Sequence, residues 1–135
     1  MKRKLKCILL VDDDPDDIVY HKIIINAIDC AEKIHDVPNG IEALKYLKEE
    51  KHTPPELIFL DINMPRMNGW EFLEEYKNLD EKEKARIVIL LLTTSANPSD
   101  VEKAKHIQEV SGFETKPLTK NSLSEILHEH FKEYF

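Results

Sequence analysis

Long apolar runs are missing from this chain of 135 residues. The longest, IVILLL at 87–92, falls well short of the roughly 20 residues a helix needs to cross a bilayer. The basic start, MKRKLK, meets only five apolar residues, CILLV, before aspartates follow, so it has neither the apolar region nor the cleavage site of a signal peptide. Both absences point to a cytoplasmic protein with no membrane partner. Cysteine is scarce too. Cys7 and Cys30 stand far apart with no CxxC spacing, which gives no support to a thiolate metal site or a redox role. Two reduced, partly buried thiols are expected instead. Positive charge is in deficit: 19 Lys and Arg against 26 Asp and Glu leave a net charge of −7, unsuited to nucleic acid. Repeats and low-complexity segments are absent. What remains, 41% hydrophobic and 33% charged residues, is the balance of one compact globular domain. A single domain over 1–135 with no output domain is expected, because the last patterned helix runs almost to Phe135.

What is present is alternation. Apolar runs occur at KCILLV (6–11), KIHDV (33–37), ELIFLD (56–61), RIVILLL (86–92) and, more weakly, SGFET (111–115). Runs that are continuous rather than alternating suit strands covered on both faces. Helical patterns lie between them. Asp14 caps a first helix with Pro15 at its first position, Asp16 and Asp17 at its positive end, and Ile18 to Ile28 following. A second starts after Asn39-Gly40 with Ile41, Leu44 and Leu47 on one side. A third starts near Gly69 with Phe72, Leu73, Tyr76 and Leu79. A fourth starts around Asn97-Pro98 and runs through Val101, Ala104 and Ile107. A fifth follows Pro117 with the stripe Leu123, Ile126, Leu127, Phe131 and Tyr134. The EKEK run at 81–84 reads as a solvated linker. Strands alternating with helices predict a doubly wound α/β fold with a parallel sheet.

In such folds ligands bind beyond the carboxyl ends of the strands. The expected strand ends carry Asp12-Asp13-Asp14, then Asp61, then Thr93-Thr94-Ser95, then Lys116-Pro117. A parallel sheet brings these tips to one rim. Two carboxylates about 4 Å apart repel by about 4 kcal/mol at an effective dielectric of about 20, so such a gathering calls for a cation. Hard oxygen donors suit Mg²⁺, and Asn63 offers a backbone carbonyl from the irregular loop after Asp61. A metal, a lysine, a hydroxyl and a carboxylate nucleophile together suit phosphoryl transfer. Capping alone is a simpler reading of DDDPDD. It accounts for Asp14, Asp16 and Asp17, but not for Asp12 and Asp13, which sit at the end of an apolar strand.

The motifs VDDDP, LDINMPRMNG, LLTTS and FETKP, in that order across residues 5 to 134, resemble the receiver domain of two-component response regulators. Asp13, Asp61, Thr93 and Lys116 are separated by 48, 32 and 23 residues. The resemblance implies a flavodoxin-like sheet of order 2-1-3-4-5 with five helices. It implies that Asp61 is the phosphoacceptor, served by a histidine kinase or a histidine phosphotransfer protein. It implies Mg²⁺ (or Mn²⁺) held by Asp12, Asp13, Asp61 and Asn63, with Asp13 ahead of Asp12 as the direct ligand. Thr93 matches a switch hydroxyl and Phe113 a switch aromatic. Lys116 matches the lysine that pairs with the phosphoryl group, and its bond to Pro117 is expected to be cis. A face of the fourth helix, fifth strand and fifth helix would then change for a downstream partner that the sequence does not name. Thr94 stands where many members carry alanine, which implies tighter access to Asp61. Ser95 and Asn63 lie where the family tunes its dephosphorylation.

Two other functions compete. An Mg²⁺-dependent aspartyl-phosphate phosphohydrolase shares the chemistry, but would place its nucleophile on the first strand. A phosphorylation-independent pseudo-receiver would not need the full acidic set. The six histidines are scattered, and His128 and His130 fall on different sides of one helix. Trp70 reads as a packing or surface residue.

Overall fold

The computed structural model describes residues 3–49, 54–83, 88–94 and 97–134. Among these, five strands alternate with five helices: β1 (Ile8–Val11), α1 (Pro15–Ile28), β2 (Ile34–Val37), α2 (Gly40–Lys48), β3 (Leu57–Asp61), α3 (Gly69–Tyr76), β4 (Val88–Thr93), α4 (Pro98–Lys105), β5 (Val110–Thr115) and α5 (Lys120–His130). The strands form one sheet in the order β2-β1-β3-β4-β5, as expected. Every pairing is parallel. Strand order reverses beside β1 and β3, so the end of β1 and the end of β3 lie next to each other at the switch point.

Alternate residues of the buried strands feed two separate cores, which is why the strands read as continuous apolar runs. Ile8, Leu10, Leu57, Phe59 and Leu92 face α1 and α5, meeting Ile24, Ile25, Leu123, Ile126 and Leu127. Leu9, Val11, Ile58, Leu60 and Leu91 face the other helices, meeting Ala43, Leu44, Leu47, Phe72, Leu73 and Ala104. The α1 cap forms as expected, with the Asp14 carboxylate accepting from the amides of Asp16 and Asp17. No helix among the described residues is long and apolar enough to cross a membrane.

Several expectations need correction. The fourth helix stops at Lys105, so Ile107 lies beyond it, although it still packs on the core. The chain has only a few residues in which to reverse before β5 begins at Val110. The fifth helix starts at Lys120 rather than directly after Pro117, because Thr119 and Ser122 form its capping box. It ends at His130, so Phe131 and Tyr134 continue the buried stripe from a following turn. Tyr134 then donates its hydroxyl to the buried Glu56 at 2.7 Å, and Glu56 also accepts from the Lys6 amide at 2.8 Å. Leu79 is buried but follows the end of α3. Residues 81–83 make a 3-10 turn where a linker was expected. Cys7 and Cys30 are free and fully buried rather than partly so.

The loop after β3 is pinned at Gly69. Its amide donates to the Ile62 carbonyl at 2.9 Å, and a Cβ there would lie 2.7 Å from the Asp61 carbonyl oxygen and 2.9 Å from the Ile62 Cα. These are backbone atoms at the tip of β3 and cannot yield. At Gly40 the clash is with the end of the flexible Met67 side chain, 2.7 Å away, and with Phe72 Cβ at 3.0 Å. Gly69→Ala is therefore expected to destabilise the fold by about 1–3 kcal/mol, and Gly40→Ala by less. Denaturant unfolding of both variants checks this; equal losses would contradict it.

Candidate functional site

Four strand ends and one helix start build the site. β1 ends at Val11, and the Asp12 amide donates across to the Val37 carbonyl at 3.0 Å, which holds Asp12 at the rim. Its Oδ1 accepts from the Asp14 amide at 3.0 Å, so the same turn that caps α1 orients Asp12. β3 delivers Asp61, which is buried. The chain then folds back, and the Asn63 amide donates to Asp61 Oδ1 at 3.4 Å. The loop is tightened further along by a γ-turn: Arg66 has φ 67°, and the Met67 amide donates to the Pro65 carbonyl at 2.7 Å. Beyond β5, the Lys116 amide donates to the Thr93 carbonyl at 2.6 Å, which binds the end of β5 to the end of β4. The Lys116-Pro117 bond is cis.

The Lys116 side chain lies among carboxylates. Its ammonium is 2.8 Å from Asp12 Oδ2, 2.9 Å from Asp17 Oδ2 and 3.5 Å from Asp61 Oδ2. Burial by itself would discharge a lysine. Here the three acids override burial and hold its pKa above the ordinary value. Asp61 goes the other way. Burial, reinforced by the negative charge of Asp12, pushes its carboxyl up to about 6 against the opposing pull of Lys116 and the Asn63 amide. One ammonium is too little for the acids around it.

Asp12, Asp13 and Asp61 each present a carboxylate oxygen, and these oxygens lie within 4.8 Å of one another. Asp13 is exposed at the lip of the rim, whereas both Asp12 oxygens already have partners. Three hard anionic donors beside an under-neutralised carboxylate fit a small divalent cation such as Mg²⁺. Thr93 is buried at the end of β4. Thr94 is exposed, and Ser95 lies outside the described residues. Phe113, on β5, is half-buried and packs against the core below α4. His128 is exposed and His130 half-buried at the far end of α5. Trp70 packs on the core with the Lys103 ammonium 4.4 Å from its ring centre, so it is a packing residue of α3 and α4.

Two residues were not anticipated. Asp17 is expected to serve the helix dipole, yet its side chain turns inward to Lys116. His21 is one of six histidines scattered through the sequence, yet it is buried, and its Nε2 accepts from the Leu118 amide at 3.4 Å. That bond ties α1 to the turn after Pro117. Burial holds His21 below the ordinary histidine pKa, partly opposed by Asp12. A signal for both existed in the sequence: Asp17, His21, Ile24 and Ile28 repeat at helical spacing on one stripe.

The arrangement is that of the response regulator receiver domain, whose family model matches residues 8–128. The chain belongs to that family, the phosphoacceptor module of two-component signalling, whose members are phosphorylated by histidine kinases and typically bind Mg²⁺ at an acidic pocket. The crystal structure of a two-component response regulator from Cytophaga hutchinsonii superposes with a TM-score of 0.86 at 33% identity, covering 94% of this chain and 97% of that one. Response regulator Rcp1 of Synechocystis is 35% identical over 101 residues, 71% of this chain and 67% of that protein. A probable cyclic di-GMP phosphodiesterase of Vibrio cholerae is 30% identical over 93% of this chain, which spans only 26% of its length.

A divalent cation held by these carboxylates would compete with a proton for Asp61. Because its carboxyl titrates near 6, protonation removes one ligand as pH falls through that value. Mg²⁺ affinity is expected to weaken by about tenfold between about pH 7.5 and about pH 5, as measured by calorimetry. A flat profile would contradict this reading.

Proposed function

We propose that this chain is a cytoplasmic phosphoacceptor switch that takes a phosphoryl group on Asp61 from a histidine kinase or a histidine phosphotransfer protein. The observation that carries the reading is one constellation: Asp61 at the tip of β3, Lys116 at 3.5 Å, and Asp12 and Asp13 with carboxylate oxygens within 4.8 Å of that of Asp61. An Asp61 carboxylate oxygen attacks phosphorus, the P–N bond to the donor imidazole breaks, and the imidazole leaves with the electron pair and takes up a proton. Mg²⁺ (or Mn²⁺) held by Asp13 and Asp61, with Asp12 and the Asn63 carbonyl alongside, would supply the charge neutralisation that lets two anions meet. Lys116, 3.5 Å from Asp61 Oδ2, supplies a second positive charge.

The product carries a charge of about −2 where a carboxylate stood. Its oxygens attract the Lys116 ammonium and the Thr93 hydroxyl as charge-assisted partners. Inward movement of Thr93 gives Phe113 room to change rotamer. Phe113 lines a groove of about 220 Å³ with Val101, Ala104, Val110 and Gly112, between α4 and β5. Only Ala104 is buried on α4, so this helix is weakly held and suits a surface that rearranges with α5 for a downstream partner. For the donor, Val19, Tyr20 and Ile23 on α1 offer an exposed apolar patch next to the turn that carries Asp17.

Incubation with Mg²⁺ and acetyl phosphate, followed by intact-mass analysis, is expected to give one phosphoryl adduct per chain, mapped to Asp61 and lost in Asp61→Asn. Continuous release of phosphate from many phosphoesters would instead favour the phosphohydrolase. An adduct elsewhere, or none while Asp61→Asn still signals, would overturn the proposal in favour of a phosphorylation-independent module.

A further inference from the structure

Asp17 belongs to neither the metal-competent set nor the helix cap. The cation ligands would come from Asp12, Asp13 and Asp61, and the cap is made by Asp14. Yet Asp17 Oδ2 holds the Lys116 ammonium at 2.9 Å across 99 residues of sequence. An ammonium has three donors. Two of them are directed to Asp12 and Asp17, at 2.8 and 2.9 Å, and the phosphoacceptor is left with the longest of the three contacts, 3.5 Å. The lysine expected to meet the phosphoryl group is thus bound more closely to two acids that will not carry it.

We propose that Asp17 is a positioning residue that acts through Lys116, holding the ammonium back from Asp61 until a phosphoryl group competes for it. The inference rests on the phosphoacceptor reading above. Asp12 shares the rim with Asp61, so its bond to Lys116 can persist when the ammonium shifts towards Asp61. Asp17 approaches from the first turn of α1, and its bond is the one given up. Its side chain is 34% exposed, so the ion pair it loses is partly screened and modest in strength. A modest restraint is what a reversible switch requires: it lowers the affinity for the phosphoryl group without abolishing it.

The test is the affinity of the Mg²⁺-loaded protein for fluoroberyllate, a tetrahedral phosphoryl analogue that binds a carboxylate without covalent transfer, measured by calorimetry. Asp17→Asn keeps the size of the side chain and removes its charge. It is expected to bind the analogue about two- to fivefold more tightly than the unaltered chain. Asp17→Glu, which restores the charge, is expected to return towards the original affinity. In a Lys116→Met background the effect of Asp17→Asn should vanish, because the residue through which it acts is gone. An unchanged or weaker affinity in Asp17→Asn overturns the inference and leaves the phosphoacceptor reading standing. So does a gain of equal size in the Lys116→Met background, which would mark Asp17 as a general negative charge rather than a partner of the lysine. If the unaltered chain with Mg²⁺ binds no analogue and acquires no phosphoryl adduct, the phosphoacceptor reading itself fails and this inference falls with it.

Discussion

One ammonium among three carboxylates governs this structure. Lys116 Nζ lies within 3.5 Å of acids from the end of β1, the first turn of α1 and the end of β3. The turn at the start of α1 brings Asp12 and Asp17 together, whereas Asp61 and Lys116 come from distant parts of the chain. They meet because a parallel sheet ends its strands on one edge and because reversal of strand order opens a crevice there. The lysine is the charge that makes the meeting tolerable, and it is insufficient. Burial, reinforced by the charge of Asp12, raises the Asp61 pKa to about 6 against the pull of Lys116.

The backbone around the crevice is built to keep these groups in place rather than to bring in more charge. The Lys116 amide on the Thr93 carbonyl aligns the ends of β4 and β5, and the Gly69 amide on the Ile62 carbonyl draws α3 against the tip of β3. Met67 closes over Gly40, its carbonyl accepting from the Gly40 amide at 3.1 Å, which attaches the same loop to α2. On the opposite side His21 reaches the turn after Pro117. The crevice is therefore clamped from both layers of helices. Beside its groove with β5, α4 buries only Ala104. A held crevice next to a lightly held surface suits the proposed switch, in which a local charge would bias a change of shape.

Much of this was legible in the sequence, and the reason is period. Continuous apolar runs mark two-sided strands, and Asp12, Asp61, Thr93 and Lys116 stand where those runs stop. What escaped was direction within the polar segments. Asp17 sits with Asp14 and Asp16 among aspartates that suit a helix start, and nothing local says which one turns inward. Its stripe with His21 and Ile24 was the available clue, and a histidine on that stripe is easily read as surface. α4 and α5 end earlier than their apolar spacing implies, because that spacing continues past the point where helical hydrogen bonding stops. Ile107 and Phe131 remain core residues outside their helices. Tyr134 shows the same effect, since its hydroxyl seeks Glu56 rather than a helical neighbour.

The claim that a single buried ammonium restrains an acidic rim can be measured through the unfolding free energy of Lys116→Met, with and without Mg²⁺. Removing the lysine leaves Asp12 and Asp61 buried without their partner. The expected loss is about 2–4 kcal/mol near neutral pH, recovered in part when Mg²⁺ is added. A variant as stable as the original chain, or one whose deficit does not respond to Mg²⁺, would show that the rim does not depend on that charge.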